Sequence, residues 1–233
     1  VCLWPDSLSA GECAKFRAKM TSPHAFFFDL DGTLTDPKPG ITGCIQYALE
    51  RLGEPVPTQD ALEWCIGPPL LANFEKLVGA ERAQRGVDLY RERFGDVGLF
   101  ENEVYPGIPA ILSGLEEKGA RLFVASSKPK VYVDRILDHF ELMPHFERVY
   151  GSELDGTRTD KRDLLAYALA EEGIAAADTT MIGDRGADTV GALHNEMPFL
   201  GVLYGYGSRE ELEAAGATRF AEEPSDLIEA LAG

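Results

Sequence analysis

The chain has 233 residues, 45% of them hydrophobic and 26% charged, and its 22 basic and 39 acidic side chains give a formal charge of −17. At about 150 residues per domain this is one large domain or two modest ones, with apolar content ample for a core. The acidic balance counts against a nucleic-acid polymer or an anionic membrane as partner, since no basic excess exists to release phosphate counterions. Uninterrupted apolar runs are only a few residues long, far short of the ~20 residues of a membrane span. Cys2, Cys13, Cys44 and Cys65 form no CxxC pair, and His24, His139, His145 and His194 show no zinc-ligand spacing. A disulfide framework or structural zinc is therefore not expected, and a cytoplasmic location is.

Residues 1–23 lack the basic-then-apolar order of a signal peptide. They read either as a loose tail, with Met20 as the working start, or as a short helix capped by Ser9-Ala10-Gly11-Glu12 with Phe16 and Met20 on one side. Strand and helix alternate from residue 24. Ala25 to Leu30 is a continuous apolar run, the mark of a strand buried on both faces. The interval that follows carries helical stripes and no convincing strand: Ile41, Ile45, Ala48, Leu49 and Leu52 before Gly53, then Phe74, Leu77 and Val78 after Pro68-Pro69, then Val87, Tyr90 and Phe94. Residues 37–103 are expected to form a small helical domain on two linkers, set into a core made of 24–36 and 104–233. An insertion at this point overhangs the carboxyl end of the first strand, where ligands of open α/β sheets bind.

The core pattern resumes with Ile108, Ile111, Leu112 and Leu115 on one helical face, stopped by Gly119. Strands are expected at Arg121 to Ser126, Arg148 to Gly151, Thr180 to Gly183 and Phe199 to Tyr204. Leu164, Leu165, Ala168 and Leu169 make a further helix ending at Gly173, and Ser208 with Glu211 makes a capping box. Strands alternating with helices imply right-handed crossovers and a parallel sheet.

Four chemical groups fall at the carboxyl ends of these strands. Asp29-Leu30-Asp31-Gly32-Thr33 crowds two carboxylates and a hydroxyl on a tight turn, a cost that makes sense if a divalent cation binds there. Pro129 suits the first helical position, which would place Ser126 and Ser127 at a helix N-terminus with free N–H groups for a phosphate. Lys161 opens the next helix, where a cation opposes the macrodipole; flanking Asp160 and Asp163 could compensate it in solvent, or it could serve a site. Gly183-Asp184-Arg185-Gly186-Ala187-Asp188 adds two more carboxylates, each also readable as a helix cap. Together they supply what phosphoryl transfer needs: a nucleophile, a metal site, a phosphate grip and a neutralising charge.

In that order, Asp29-Leu30-Asp31-Gly32-Thr33, Ser126, Lys161, and Gly183-Asp184 with Asp188 resemble the four motifs of the haloacid dehalogenase superfamily, and the resemblance runs over residues 24 to 233. It is closest to the phosphoglycolate-phosphatase-like branch. It implies an α/β fold, a Rossmann-like doubly wound parallel sheet with a small all-helical cap, and a Mg²⁺-dependent phosphatase. The residue matching Asp29 would attack phosphorus, and Asp31 would protonate the leaving alkoxide and later take a proton from water. Mg²⁺ would be held by Asp29, the Asp31 carbonyl and Asp184, with Asp188 in support. Ser126 and Lys161 would bind phosphoryl oxygens. Gly32, Thr33 and Ser127 join them as substrate-binding positions, with backbone amides near Leu30 and Ser127 as added donors. A dehalogenase needs no general acid at Asp31, so its presence argues for ester hydrolysis.

The segment Cys65-Ile66-Gly67-Pro68-Pro69-Leu70 resembles the substrate-facing loop of such caps, which would bring Gly67 and Pro68 to the substrate; a plain helix–helix turn is the alternative. Lys76, Arg82 and Arg85 are the cap's further cations, each better read as solvated. Two departures put phosphoglycolate itself in doubt: Pro37 replaces a common Ser, and Gly151 to Lys161 lacks the common Lys-Pro-x-Pro form and resembles a 5′-nucleotidase-like subset. The expected partner is a small phosphorylated metabolite, and the expected assembly a monomer or homodimer. The competing readings are a β-phosphoglucomutase-like sugar phosphomutase and a non-catalytic phosphate-binding regulatory module, the latter disfavoured because Asp29 and Asp31 are both present.

Overall fold

The computed structural model describes residues 24–231, so the tail reading of 1–23 lies outside the described residues. The strands in chain order are β1 (Ala25–Phe28), β2 (Thr35–Asp36), β3 (Glu103–Val104), β4 (Arg121–Pro129), β5 (Arg148–Ser152), β6 (Thr179–Gly183), β7 (Phe199–Val202) and β8 (Phe220–Ala221). The α-helices are α1 (Lys38–Leu52), α2 (Leu70–Val78), α3 (Ala80–Arg93), α4 (Ile108–Glu117), α5 (Lys130–His139), α6 (Lys161–Glu172), α7 (Gly186–His194), α8 (Arg209–Ala214) and α9 (Leu227–Ala230).

Six strands form one parallel sheet in the order β5-β4-β1-β6-β7-β8. β1 lies between β4 and β6, so the chain leaves it toward one side and later returns on the other, which is where a crevice opens at the carboxyl ends. The continuous apolar run of β1 has a simple cause: both of its faces are covered. Phe27 packs with Phe123, Met181, Leu164 and Leu165 on one face, and its ring stacks on Phe123 at 4.7 Å. Phe26 and Phe28 point to the other core, with Ile111 and Leu112 of α4 and Ile136 and Leu137 of α5. Gly53 and Gly173 end α1 and α6 in the left-handed conformation, at φ 72° and 61°.

Between β2 and β3 come α1, a 3₁₀ turn (Asp60–Cys65), α2, α3 and a π-helical turn (Phe94–Gly98). Phe74 is fully buried here, seated on Gly86 so closely that a Cβ at Gly86 would lie 2.4 Å from its ring. Cys44 and Cys65 are buried free thiols. No helix among the described residues is long and apolar enough to cross a membrane.

Several expectations need correction. The two crossings into the helical insertion were expected to be strandless linkers, yet Thr35 pairs with Val104 and Asp36 with Glu103 in a short antiparallel ribbon. β8 was not expected at all; two residues are too few to carry a period. Pro129 does not open a helix. β4 continues past a bulge to pair Pro129 with Ser152, Pro129 is extended at ψ 130°, and α5 begins at Lys130. Ser126 and Ser127 therefore sit in the strand and not at a helix N-terminus. The capping box at α8 is half formed: Ser208 accepts from the Glu211 N–H, but the Glu211 carboxylate turns to Arg185 and the Gly186 N–H.

Candidate active site

β1 delivers Asp29 to the end of the sheet, where its N–H donates to the Ile182 carbonyl of β6 at 2.9 Å. The chain then turns tightly, with the Leu34 and Thr35 N–H groups both donating to the Leu30 carbonyl. Gly32 is required twice over: it has φ +80°, and a Cβ there would lie 2.2 Å from Asp184 Oδ2. Thr33 is fully buried with its hydroxyl unpaired, and its carbonyl accepts from the Tyr204 hydroxyl at 2.9 Å.

Lys161 is not the solvated lysine that Asp160 and Asp163 could have made it. Asp160 caps α6 by accepting from the Arg162 N–H. The Lys161 side chain is 3% exposed and reaches inward, with Nζ 2.6 Å from Asp188 and 3.0 Å from Asp29, and it donates to the Ala125 carbonyl at 2.7 Å. Burial opposes its charge, but the carboxylates of Asp188 and Asp29 outweigh that and hold its pKa above the ordinary lysine value. Gly191 of α7 gives the lysine room, since a Cβ there would lie 2.6 Å from Lys161 Cβ.

Asp29, Asp184 and Asp188 each offer an oxygen within 4.8 Å of the others, and all three are buried. Burial, then the neighbouring Asp188 and Asp29, push the Asp184 carboxyl well above the usual range. Burial likewise raises Asp188, against the pull of Lys161. Asp184 Oδ2 accepts from the Tyr206 N–H at 2.7 Å, whereas Oδ1 has no partner; Asp29 Oδ1 lies near Lys161 without an aligned hydrogen bond. An unpaired Asp184 Oδ1 buried within a cluster of three carboxylates is an environment that a hard divalent cation would satisfy. Charge points the same way: among the described residues, Asp29, Asp31 and Asp188 pair with Lys161 and Lys128 while Asp184 makes no ion pair, so the cluster keeps an excess of negative charge that a divalent ion would offset. These donors fit Mg²⁺.

Asp31 is brought to the same cleft, its carboxylate against Lys128, with Nζ 2.7 Å from each oxygen. Burial raises its pKa, Lys128 offsets part of that, and Asp29 adds to it. Ser126 is buried at the same strand end and its hydroxyl accepts from the Lys128 N–H at 3.3 Å; the Ser127 carbonyl accepts from Ser152. Gly67 and Pro68 approach the core through Arg185, whose side chain lies 3.1 Å from where a Gly67 Cβ would be. Arg185 donates to the Ile66 carbonyl and to Glu211. The Pro68 carbonyl and the Cys65 carbonyl are tied back by Asn73.

Three residues at the site were not singled out by sequence. The sequence reading assigns Lys128 no role, and Arg185 stands there only within its motif. Tyr206, which holds Asp184 by its N–H and Asp36 by its hydroxyl, was not read at all. The signal for Lys128 was a lysine beside the Ser at a strand end; nothing in the sequence said which carboxylate it would meet.

The chain is 48% identical to a 5′-nucleotidase of Pseudomonas aeruginosa over 88% of its length and 93% of that protein. It is 36% identical to the tyrosine-protein kinase PtkA of Mycobacterium tuberculosis over 84% of this chain and 68% of that one. A phosphoglycolate phosphatase of Caulobacter vibrioides is 33% identical over 82% of this chain and 83% of that protein. Among solved structures, a predicted phosphatase from Clostridium acetobutylicum superposes with a TM-score of 0.86 at 41% identity, covering 91% of this chain and 99% of that one. The family model described as haloacid dehalogenase-like hydrolase matches residues 26–202, and with the parallel sheet and the acidic strand ends in place, the chain belongs to that family and is an enzyme of it.

Proposed function

We propose that this enzyme is a Mg²⁺-dependent phosphatase of small phosphomonoesters, working through an aspartyl-phosphate on Asp29. The observation that carries the reading is the convergence at one strand end of Asp29, its ion pair with Lys161 at 3.0 Å, the acidic cluster with Asp184 and Asp188, and Asp31 two residues on. An Asp29 oxygen attacks phosphorus while the bond to the leaving oxygen breaks, and Asp31 gives that oxygen its proton. Water then attacks the phosphoryl group, its proton passes to Asp31, and the Asp29 carboxylate departs. Lys161, pinned from three directions, fixes Asp29 and neutralises charge near the phosphoryl oxygens; Ser126 stands beside it as a further donor. Mg²⁺ held by Asp29, Asp184 and the Asp31 carbonyl, with Asp188 in support, would supply Lewis-acid charge stabilisation.

Residues 37–103 act in this reading as a cap, with Gly67 and Pro68 at its substrate edge and 24–36 with 104–233 as the core. The 5′-nucleotidase relative supports a nucleoside monophosphate as substrate ahead of phosphoglycolate, in keeping with Pro37 and the form of the Gly151 to Lys161 segment. A reducing cytoplasm suits the free Cys44 and Cys65. The test is phosphate release from nucleoside monophosphates, phosphoglycolate, sugar phosphates and p-nitrophenyl phosphate, with Mg²⁺, with EDTA and with Asp29→Asn. Metal-dependent release abolished by Asp29→Asn is expected, with the best kcat/KM among the nucleotides. Transfer to a tyrosine hydroxyl, as the mycobacterial relative's name states for that protein, would instead leave phosphate on protein. Isomerised sugar phosphate would mark a mutase.

A further inference from the structure

The geometry points to Lys128 as a positioning residue that gives Asp31 its working orientation only while Phe94 of the helical insertion covers it. The inference rests on the phosphatase reading, because it assigns Asp31 the proton transfer. Lys128 belongs to the stretch of β4 where the register with β5 shifts between Ser126 and Pro129, and such a bulge re-aims a side chain. Here it turns the lysine toward β1. Nζ lies 2.7 Å from both Asp31 oxygens, and the two side chains are 9% and 12% exposed. On its other side Nζ stands 5.2 Å from the centre of the Phe94 ring. That ring is itself held across the seam, stacked on Tyr90 of α3 at 5.0 Å and edge-on to Tyr132 of α5 at 5.4 Å.

A single ammonium therefore touches the core's second aspartate and an aromatic face of the insertion. With Phe94 in place, water is kept from the contact, and the Lys128 ammonium donates to the Asp31 carboxyl and fixes its orientation. If the insertion lifts, the ring leaves, the ammonium is hydrated, and Asp31 loses its clamp. Proton transfer is thus linked to closure. In the closed state the Asp31 proton moves to the leaving oxygen as its bond to phosphorus breaks, and the carboxylate so formed remains paired with Lys128, which keeps its own protons throughout. Phe94 opens the π-helical turn Phe94–Gly98, a distortion often found where a helix serves a site.

The experiment compares kcat/KM for p-nitrophenyl phosphate, whose leaving group departs without a proton, with an alkyl phosphate, whose leaving group needs one. Lys128→Met should cost the alkyl substrate about tenfold or more beyond its effect on the nitrophenyl ester. Phe94→Leu should shift the same ratio in the same direction by less, and Lys128→Arg should recover part of it. In an Asp31→Asn background Lys128→Met should leave the ratio unchanged. An equal loss on both substrates, or a ratio that still moves without the Asp31 carboxyl, overturns the assignment. Lys128→Arg and Phe94→Leu carry the test if Lys128→Met does not fold. A wild-type enzyme that turns over neither ester removes the phosphatase reading itself, and this inference with it.

Discussion

The two walls of the cleft are built on different physics. On the core side Asp29, Asp184, Asp188 and Lys161 are each less than a tenth exposed and sit at the ends of paired strands or the first turns of helices, with Lys161 paired to Asp188 and Asp29 over 2.6–3.0 Å. The insertion reaches the same cleft through a backbone carbonyl, Ile66 to Arg185, and through the face of Phe94 over Lys128. Two of its cations are spent internally: Lys38 pairs with Asp60 and Glu63, and Arg93 forks onto Glu101 at 2.6 and 2.8 Å. Buried charges in a fixed frame hold one geometry, because any loosening leaves an unpaired ion. A carbonyl and a ring face are contacts that can be released and remade at small cost. In the proposed reading the core wall serves a constant chemistry and the insertion wall serves opening and the choice of substrate.

The sharpest break of this contrast is Lys161→Met. It strands Asp29 and Asp188 without their cation, and the expected loss of stability is about 3–5 kcal/mol in a urea titration, with phosphate release lost as well. Phe74→Ala attacks the other wall: it empties the centre of the α2–α3 packing and should cost about 3 kcal/mol, the lower end for a buried phenylalanine, because amphipathic surface helices can collapse onto the space. Its kcat for p-nitrophenyl phosphate should fall far less than that of Lys161→Met. Equal losses of activity would erase the distinction between the walls.

A smaller effect lies away from the cleft. The Glu172 side chain is 8% exposed and receives Arg121, Arg148 and the Tyr150 hydroxyl. Burial pushes its pKa up, but those partners outweigh it and hold the carboxyl below its ordinary 4.5. The unfolded chain therefore takes up the proton first as pH falls. The stabilisation is complete above pH 4.5 and is lost as pH drops through the folded-state value. Glu172→Gln should cost about 1–2 kcal/mol at neutral pH, and the gap from wild type should close in acid. Stability curves at neutral and acid pH test this, and a gap that widens in acid would reverse the sign.

The readable part of the molecule was the part set by local pattern. β1 announced itself because both faces of Phe26 to Phe28 are covered, and Asp29, Asp31, Ser126, Lys161, Asp184 and Asp188 could be gathered because each lies in the carboxyl-terminal part of a strand of one parallel sheet or in the segment after it. The β2–β3 ribbon escaped because two residues carry no period, and Pro129 misled because proline suits both a helix start and a strand end that a bulge prolongs. Lys128 meets a carboxylate 97 positions away and Arg185 a carbonyl 119 away. Such partners are chosen by tertiary packing, of β4 beside β1 in the first case and of the insertion on the core in the second, and no local spacing encodes them. Lys161 stood between a solvated and a buried reading until its depth beside α7 decided it.

The most direct measurement of the central claim is acid-quench mass spectrometry of the enzyme during turnover of its best phosphomonoester. A phosphoryl adduct is expected on the peptide bearing Asp29, absent in Asp29→Asn and longer-lived in Asp31→Asn, which lacks the carboxylate that receives the proton of the attacking water. An adduct on another residue, or continued turnover by Asp29→Asn, would contradict it.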